Sequence, residues 1–161
     1  MSTHDDDIET IAGLIKASKI ALVTTQSSSG ALHARPLAVQ EAEFDGDLWF
    51  FTPKPTEKTD EIAQNPNVNV AVHGGDGYLS IAGTASIVVD EAKIDELWGP
   101  SAEAWFEKGR EDPRIALVKV SADSAEYWVN NDPKIVTLFK VAKATTQKKS
   151  PDVGENEAVE L

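Results

Sequence analysis

The chain has 161 residues, 41% of them hydrophobic and 26% charged, which predicts one globular domain with a sizeable core. It contains no cysteine, so disulfide frameworks, thiolate metal sites and cysteine nucleophiles are excluded, and a reducing cytoplasm is the simplest compartment. Its net charge of -12 repels nucleic-acid phosphates and anionic lipid, so an anion can bind only where a few cations and backbone amides cluster.

Hydrophobic periodicity divides the chain into short strands with small helices between them. Aliphatic residues recur at helical spacing behind an aspartate run in the first segment, whereas β-branched runs and strict alternation predict strands further on. In chain order we predict a helix over Thr3–Lys16, a strand over Ile20–Thr25, a turn at Ser27–Gly30, strands over Ala31–Phe44 and Asp47–Thr52, a helix from a Thr56 cap to Gln64, a strand over Val68–Val72, a turn at His73–Gly77, a strand over Tyr78–Val89, helices over Glu91–Trp98 and Ala102–Lys108, and strands over Ile115–Val120 and Ala125–Val129.

Several local signals refine this outline. Asp45-Gly46 is a strong hairpin signal, so we expect the strands on either side of it to pair. Gly83 interrupts the apolar face of the longest strand and predicts a β-bulge or a close backbone approach, such as a barrel corner. Residues 135–144 fit either a helix or a last strand, and a helix is our prediction. From Thr145 onward the sequence is polar, so we expect a domain over residues 1–144 and a flexible tail over 145–161.

The succession of strands predicts the fold class. Six or seven strands joined by short turns, without regular alternation of strand and long helix, indicate a mainly β protein. We expect a closed or nearly closed antiparallel barrel with small flanking helices rather than a doubly wound sheet. No apolar run approaches the roughly 20 residues of a membrane span, and the first nine residues carry acids where a signal peptide would carry Lys or Arg. We therefore expect a cytoplasmic protein that binds neither membranes nor nucleic acid.

Arg35 is the first candidate binding residue. By alternation it shares a strand face with Leu37 and Val39, so its guanidinium either reaches a sheet edge or meets an anion in a partly buried place. Pro36 cannot donate a ladder hydrogen bond and marks an edge or bulge, which leaves backbone groups beside Arg35 free for a ligand. A solvated arginine on an edge strand is the alternative, and such structural arginines are common.

The second candidate is the segment that leads from an aromatic strand into a helix. It brings the Thr56 hydroxyl, Lys58 and the free N–H groups of a helix N-terminus into one loop, which are the parts of a phosphate cradle. A lysine in the first helical turn is electrostatically unfavourable unless an anion compensates it. Glu57, Asp60 and Glu61 are close enough to supply that compensation, so both interpretations stay open.

The remaining residue types point less clearly to chemistry. The four tryptophans are typical of cores or interfaces, with Trp98 and Trp105 as alternatives for a pocket rim or dimer contact. The three histidines lack HxH or HExxH spacing, so we expect no metal site. No GxSxG, P-loop or GxGxxG motif occurs, and no side chain is a convincing catalytic acid or base.

The order of these motifs resembles a known family. Arg35-Pro36-Leu37, then Leu48-Trp49-Phe50-Phe51-Thr52, then Thr56-x-Lys58 and Ser80-x-x-Gly83-Thr84-Ala85 are similar to the FMN-binding split barrel family related to pyridoxamine 5'-phosphate oxidase. Glu96-Leu97-Trp98, Ala104-Trp105-Phe106, Asp112-Pro113 and Glu126-Tyr127-Trp128 resemble its bacterial general stress protein branch. The resemblance covers about residues 8–128.

The resemblance implies a homodimer of six-stranded antiparallel split β-barrels with two FMN molecules at the subunit interface. Three side chains would hold the FMN phosphate, namely Arg35, Lys58 and Thr56. The backbone of four residues would lie along the isoalloxazine ring and ribityl chain, namely Pro36, Leu37, Phe51 and Thr52. Trp128 would come from the other subunit and close the site.

Two departures from the family pattern shape the expected function. Glu57 stands beside Lys58, at a position where many members of the oxidase branch carry another basic residue. The negative charge of Glu57 would weaken phosphate binding. Residues 129–133 lack the Arg and His that resemble substrate-phosphate ligands, so we expect no pyridoxamine phosphate oxidase activity. We expect an FMN-binding general stress protein with a redox or flavin-handling role. The alternatives are a flavin- or deazaflavin-dependent oxidoreductase or haem-binding relative, and a non-catalytic module that sequesters flavin or binds a partner protein.

Overall fold

The computed structural model describes residues 4–40, 42–75, 77–129 and 132–137. Within these ranges the chain forms four α-helices, a single 3-10 helix over Gly109–Glu111 and seven strands. The α-helices are α1 His4–Ala17, α2 Glu57–Gln64, α3 Glu91–Leu97 and α4 Pro100–Glu103. The strands are β1 Ile20–Gln26, β2 Leu32–Ala38, β3 Asp47–Pro53, β4 Asn67–Gly74, β5 Gly77–Val88, β6 Ile115–Val129 and β7 Asp132–Thr137.

The strands form one antiparallel sheet in the order β2-β1-β4-β5-β6-β3, with β7 also paired to β6. One edge of β6 pairs with β5, while its first half pairs with β3 and its second half with β7. The curled six-stranded path with a few small helices confirms the predicted mainly β fold. No helix among the described residues is long and apolar enough to cross a membrane.

The core lies on the inner face of the curled sheet. Buried and exposed residues alternate along β1, β3, β4 and β5, as expected for strands with one face on a core. Helix α1 covers part of this face with Ile11, Leu14 and Ile15. A smaller apolar cluster forms where Phe106 and Ile94 pack against Leu117 at the start of β6.

The predicted irregularity at Gly83 is confirmed. The β5–β6 register shifts between Ala82 and Gly83, and a Cβ on Gly83 would lie 2.3 Å from the Ser121 carbonyl oxygen. The bulge lets β6 continue through the bend. The prediction of two separate strands over Ile115–Val120 and Ala125–Val129 is therefore wrong, since one strand spans both.

The predicted hairpin around Asp45-Gly46 is wrong. Gly46 does turn, with a φ of 107°, but its carbonyl oxygen accepts a hydrogen bond from the Ala122 N–H at 2.9 Å, and β3 pairs with β6. Strand β2 ends at Ala38 rather than at Phe44 and pairs with β1. The turn residues determine the local bend, whereas the buried faces of the strands determine the partner.

Two further helices differ from prediction. The helix expected over Ala102–Lys108 is replaced by the short α4 and turns, because Phe106 inserts into the second apolar cluster and the chain bends to place it there. The helix expected over residues 135–144 is a strand as far as Thr137, since β7 pairs with the second half of β6. Residues 138–144 and the predicted tail over 145–161 lie outside the described residues.

Candidate functional site

Strands β1 and β2 and the start of α2 meet at one place in the fold. Arg35 lies in the middle of β2, opposite Val23 of β1, on the same face as His33 and Leu37. The predicted face of Arg35 is therefore confirmed, and its side chain is 26% exposed. Pro36 lies in a strand at the end of the sheet order, as its missing N–H predicts.

The Arg35 guanidinium is held by groups from β1 and α2. Its Nη1 donates to the Thr25 Oγ1 at 2.9 Å, and its Nη2 donates to the Glu61 Oε2 at 3.4 Å. Glu57 lies further away, with its Oε2 at 3.8 Å from Nη2, and its side chain is exposed. Arg35 is therefore not a freely solvated arginine, because a buried carboxylate and a buried hydroxyl fix one side of its guanidinium.

Glu61 is the buried carboxylate of this network. Its Oε2 accepts from the Thr25 hydroxyl at 2.5 Å, and its Oε1 lies 2.9 Å from the His33 Nδ1. The Thr25 hydrogen bond lowers the pKa of Glu61, and His33 and Arg35 lower it further, although burial acts in the opposite direction. Glu61 is thus ionised at neutral pH. Because an ionised carboxylate only accepts, the His33 Nδ1 carries the proton in this contact.

Lys58 lies in the first turn of α2 and is only 8% exposed. Burial lowers the pKa of Lys58, and the charge of Arg35 lowers it further. Among the described residues, the Lys58 ammonium makes no hydrogen bond or ion pair. The neighbouring carboxylates of Glu57 and Glu61 pair with Arg35 instead.

Thr56 caps α2 as predicted. Its Oγ1 accepts from the Thr59 N–H at 3.3 Å, and the Thr56 N–H donates to the Thr59 Oγ1 at 2.9 Å. This reciprocal capping box fixes the first turn of the helix. The backbone N–H groups of Glu57 and Lys58 stay without partners in the described part of the chain and add positive potential beside the two cations.

The other predicted site residues lie at two places. Phe51 packs edge-on against Trp98 and Phe106, with ring centroids 5.5 and 6.4 Å apart, and the buried Thr52 donates to the Pro53 carbonyl. Both precede the loop that leads into α2. Trp128 lies on β6 opposite Tyr78, and no hydrogen bond or ring contact within the described ranges joins it to Arg35 or Lys58.

Thr25 and His33 also belong to the site, although the sequence did not predict them there. Thr25 is completely buried and follows Ala21 and Val23 on the inner face of β1, so its hydroxyl needs an internal partner. That alternation was the available signal. The role of His33 has no such signal, because its partner Glu61 is 28 residues away in the chain and approaches only when α2 packs on the sheet.

The same residues have the spacing of a metal site. Ligand atoms of His33, Glu57 and Glu61 all lie within 4.8 Å of one another. However, Arg35 lies 3.4 Å from Glu61 and 3.8 Å from Glu57, so a guanidinium already compensates these carboxylates. The cluster therefore favours Arg35 over a divalent cation, and the expected lack of a metal site stays a prediction.

Comparison with known proteins identifies the family. The family model described as pyridoxamine 5'-phosphate oxidase like matches residues 6–152. The chain belongs to this family. The match confirms the resemblance drawn from the motifs and covers more of the chain than the motifs do.

Three known proteins show how close the similarity is. The chain is 32% identical to General stress protein 26 of Bacillus subtilis over 64% of this chain and 74% of that protein. It is 28% identical to Protein bli-3 of Neurospora crassa over 95% of this chain and 82% of that protein. The crystal structure of the general stress FMN/FAD binding protein from Xanthomonas citri superimposes with a TM-score of 0.67 at 31% identity, covering 77% of this chain and 89% of that one.

Proposed function

We propose that this protein binds FMN and serves as a general stress protein with a redox or flavin-handling role. The observation that carries the proposal is Lys58, a residue only 8% exposed in the first turn of α2, whose charge is opposed by that of Arg35 and which has no anionic partner among the described residues. Burying an unpaired charge is costly, so this arrangement favours binding of an anion. Membership of the family and the FMN/FAD-binding name of the Xanthomonas citri protein support a flavin as that anion.

The phosphate of FMN matches the charge and geometry of this place. Lys58 would bind it as a point charge and Arg35 through the N–H groups that Thr25 and Glu61 do not use, with Thr56 and the first-turn amides of α2 completing the cradle. A terminal phosphate monoester carries nearly two negative charges at neutral pH. The phosphates of FAD are diesters with one charge each, so two adjacent cations favour FMN.

The remaining predicted residues would orient and shield the flavin ring. The backbone of Pro36, Leu37, Phe51 and Thr52 would lie along the ring and ribityl chain, with the Phe51 aromatic cluster behind it. When bound, FMN supplies the electron-transfer chemistry, while the protein binds it, orients it and excludes water. None of these side chains is assigned a catalytic role.

We also propose that the protein is a homodimer with its cofactor sites at the subunit interface. Residues directly opposed in a strand ladder share a face, so Leu22 lies on the outer side of the sheet with Pro36 and Ala71. Ala71 is opposite Ser80, and Tyr78 lies on the same face of β5 as Ser80 by alternation. Leu22 and Tyr78 are 49% and 58% exposed. An apolar face of this kind is typical of an interface, and it includes Trp128, which would cover the flavin of the partner.

The cofactor proposal is tested by titrating the flavin-free protein with FMN, FAD, riboflavin and a deazaflavin while following flavin fluorescence. We expect FMN to bind most tightly and to raise the melting temperature as its concentration exceeds the dissociation constant. Absence of binding by every flavin would contradict the proposal. Tighter binding of the deazaflavin would replace FMN with the alternative cofactor.

The redox part of the proposal has its own test. The FMN-loaded protein is mixed with NAD(P)H and an artificial electron acceptor, and acceptor reduction is followed. Turnover supports a redox role, whereas tight FMN binding without turnover supports flavin handling. With pyridoxamine phosphate as substrate we expect no oxidation.

A further inference from the structure

We propose that Glu61, together with Thr25, is a positioning residue that holds Arg35 in place for the phosphate. The inference rests on the proposed binding of FMN at Arg35 and Lys58. It adds two residues that touch no phosphate themselves and act through the guanidinium. The observation behind it is the buried hydrogen-bond network that joins β1, β2 and α2.

The Thr25 hydroxyl is oriented by this network. Glu61 is ionised and can only accept, so the Thr25 proton must point to the Glu61 Oε2, 2.5 Å away. The lone pairs of the Thr25 Oγ1 then face the Arg35 Nη1, which donates to them at 2.9 Å. The Glu61 carboxylate on α2 thus orients the Thr25 hydroxyl, and the Thr25 Oγ1 is a fixed acceptor for the Arg35 guanidinium on β2.

Burial makes Glu61 the effective partner of Arg35. Glu61 and Thr25 are both buried and cannot adjust without disturbing the packing of α2 on β1. Glu57 carries the same charge but is exposed and lies 3.8 Å away, so it constrains the guanidinium little. This contrast provides a matched control, since both residues can lose one negative charge.

The position matters because Arg35 and Lys58 repel each other. Arg35 lies on a strand at the end of the sheet order with its side chain partly exposed, so without a buried anchor it would turn towards water. Glu61 compensates one side of the guanidinium and leaves other N–H groups of its five for a ligand. Glu61 makes no hydrogen bond to Lys58 among the described residues, so the ammonium stays available.

The test compares FMN with riboflavin, which differs only by the phosphate. The ratio of their dissociation constants isolates phosphate recognition from general effects on the flavin ring. We expect Glu61→Leu and Thr25→Val each to lower the preference for FMN about tenfold, as loss of a hydrogen bond to a charged group does. Glu61→Gln retains an acceptor for Thr25 and Arg35 and should stay within about threefold of wild type. The control Glu57→Gln should not lower the preference for FMN, because it removes a negative charge beside the phosphate and leaves the buried anchor of Arg35 in place.

A double-mutant cycle shows whether Glu61 acts through Arg35. In an Arg35→Met background, Glu61→Leu should change the FMN preference no further, because no guanidinium remains to be positioned. An equal loss in both backgrounds would overturn the proposal. So would a failure of Glu61→Gln to restore the preference that Glu61→Leu loses.

A measurement without flavin separates this inference from the proposed function. The Arg35 Nη–H signals in NMR spectra, assigned by their loss in Arg35→Lys, should be well resolved and slow to exchange in wild type and Glu61→Gln, because Nη1 and Nη2 donate to Thr25 and Glu61. They should shift towards the free-arginine position in Glu61→Leu and Thr25→Val. If wild type shows no preference for FMN, the proposed function fails, while an unchanged signal in Glu61→Leu and Thr25→Val overturns the positioning role.

Discussion

Lys58 is buried at the start of α2 next to Arg35, and both features oppose its charge. The pKa of Lys58 in the folded protein is therefore below 10.5, so the unfolded chain binds this proton more tightly. The charge lowers stability at every pH below the folded pKa, and this penalty disappears as the pH rises above 10.5. A residue that weakens the fold in this way is typical of a binding site.

Lys58→Met should therefore stabilise the flavin-free protein at pH 7. Methionine fills a similar volume without a charge to desolvate, and each kcal/mol gained raises the melting temperature of a chain of this size by about 2 to 4 °C. Thermal unfolding of the flavin-free protein measures the effect. Lys19→Met, at an exposed position, is the control and should leave the melting temperature unchanged. A lower melting temperature for Lys58→Met would contradict the description of Lys58 as an unpaired charge.

Asp112 shows the opposite behaviour outside the candidate site. Hydrogen bonds from the Arg114 side chain and backbone lower the pKa of Asp112 from 3.8 to about 2. Its folded pKa is depressed, so the stability it contributes is complete well above pH 4 and is lost as the pH falls towards 2. Urea unfolding should show Asp112→Asn less stable than wild type at pH 6, with the difference closing between pH 4 and 2. A difference that is constant over this range would contradict the assigned pKa; exposed Glu111→Gln is the control.

At the scale of elements, local patterns predict what each segment is better than which segment it pairs with. The bulge at Gly83 and the cap at Thr56 depend on a few neighbouring residues and were predictable. The pairing of β3 with β6 joins Leu48 to Val120, and no turn residue encodes a contact over that separation. Asp45-Gly46 correctly indicates a bend, but a bend does not determine that the strands on either side of it pair with each other.

Two glycines give contrasting predictions for the same substitution. Gly83→Ala would place a Cβ 2.3 Å from the Ser121 carbonyl oxygen, so we expect a loss of about 1 to 3 kcal/mol in unfolding free energy. Gly13→Ala, on the exposed side of α1 with no atom within 4 Å, should gain about 0.5 to 1 kcal/mol. Urea unfolding measures both. A neutral Gly83→Ala would show that the two strands do not approach each other this closely.

For the whole molecule, the two cations were predictable but their surroundings were not. Arg35 is a charged residue on the strand face that alternation assigns to Leu37 and Val39, and Lys58 lies at a predicted helix start. The partners of Arg35 lie on other elements, and Glu61 is 36 residues from Thr25. Their meeting depends on α2 folding back over the β1–β2 hairpin. The sequence likewise does not predict that Glu61 pairs with Arg35 and not with Lys58, because Glu61 and Lys58 are close in the sequence.

The proposed dimer is testable at this scale. Light scattering coupled to gel filtration should give a mass of about 35 kDa, twice the 17.4 kDa of one chain. Leu22→Glu places a charge in the middle of the exposed apolar face and should shift the mass towards one chain. Val89→Glu, at an exposed position just beyond the far end of β5 from Tyr78, is the control and should remain dimeric. A wild-type monomer would contradict the proposed interface.

The pairing of Lys58 with a phosphate is tested most directly by the dissociation constants of FMN and riboflavin for wild type and Lys58→Met. We expect wild type to bind FMN at least about tenfold more tightly than riboflavin, since the phosphate forms charge-assisted hydrogen bonds with Lys58 and Arg35. Lys58→Met should remove most of this preference while leaving riboflavin binding nearly unchanged. Equal affinity of wild type for the two flavins, or an unaltered preference in Lys58→Met, would contradict a phosphate site at Lys58.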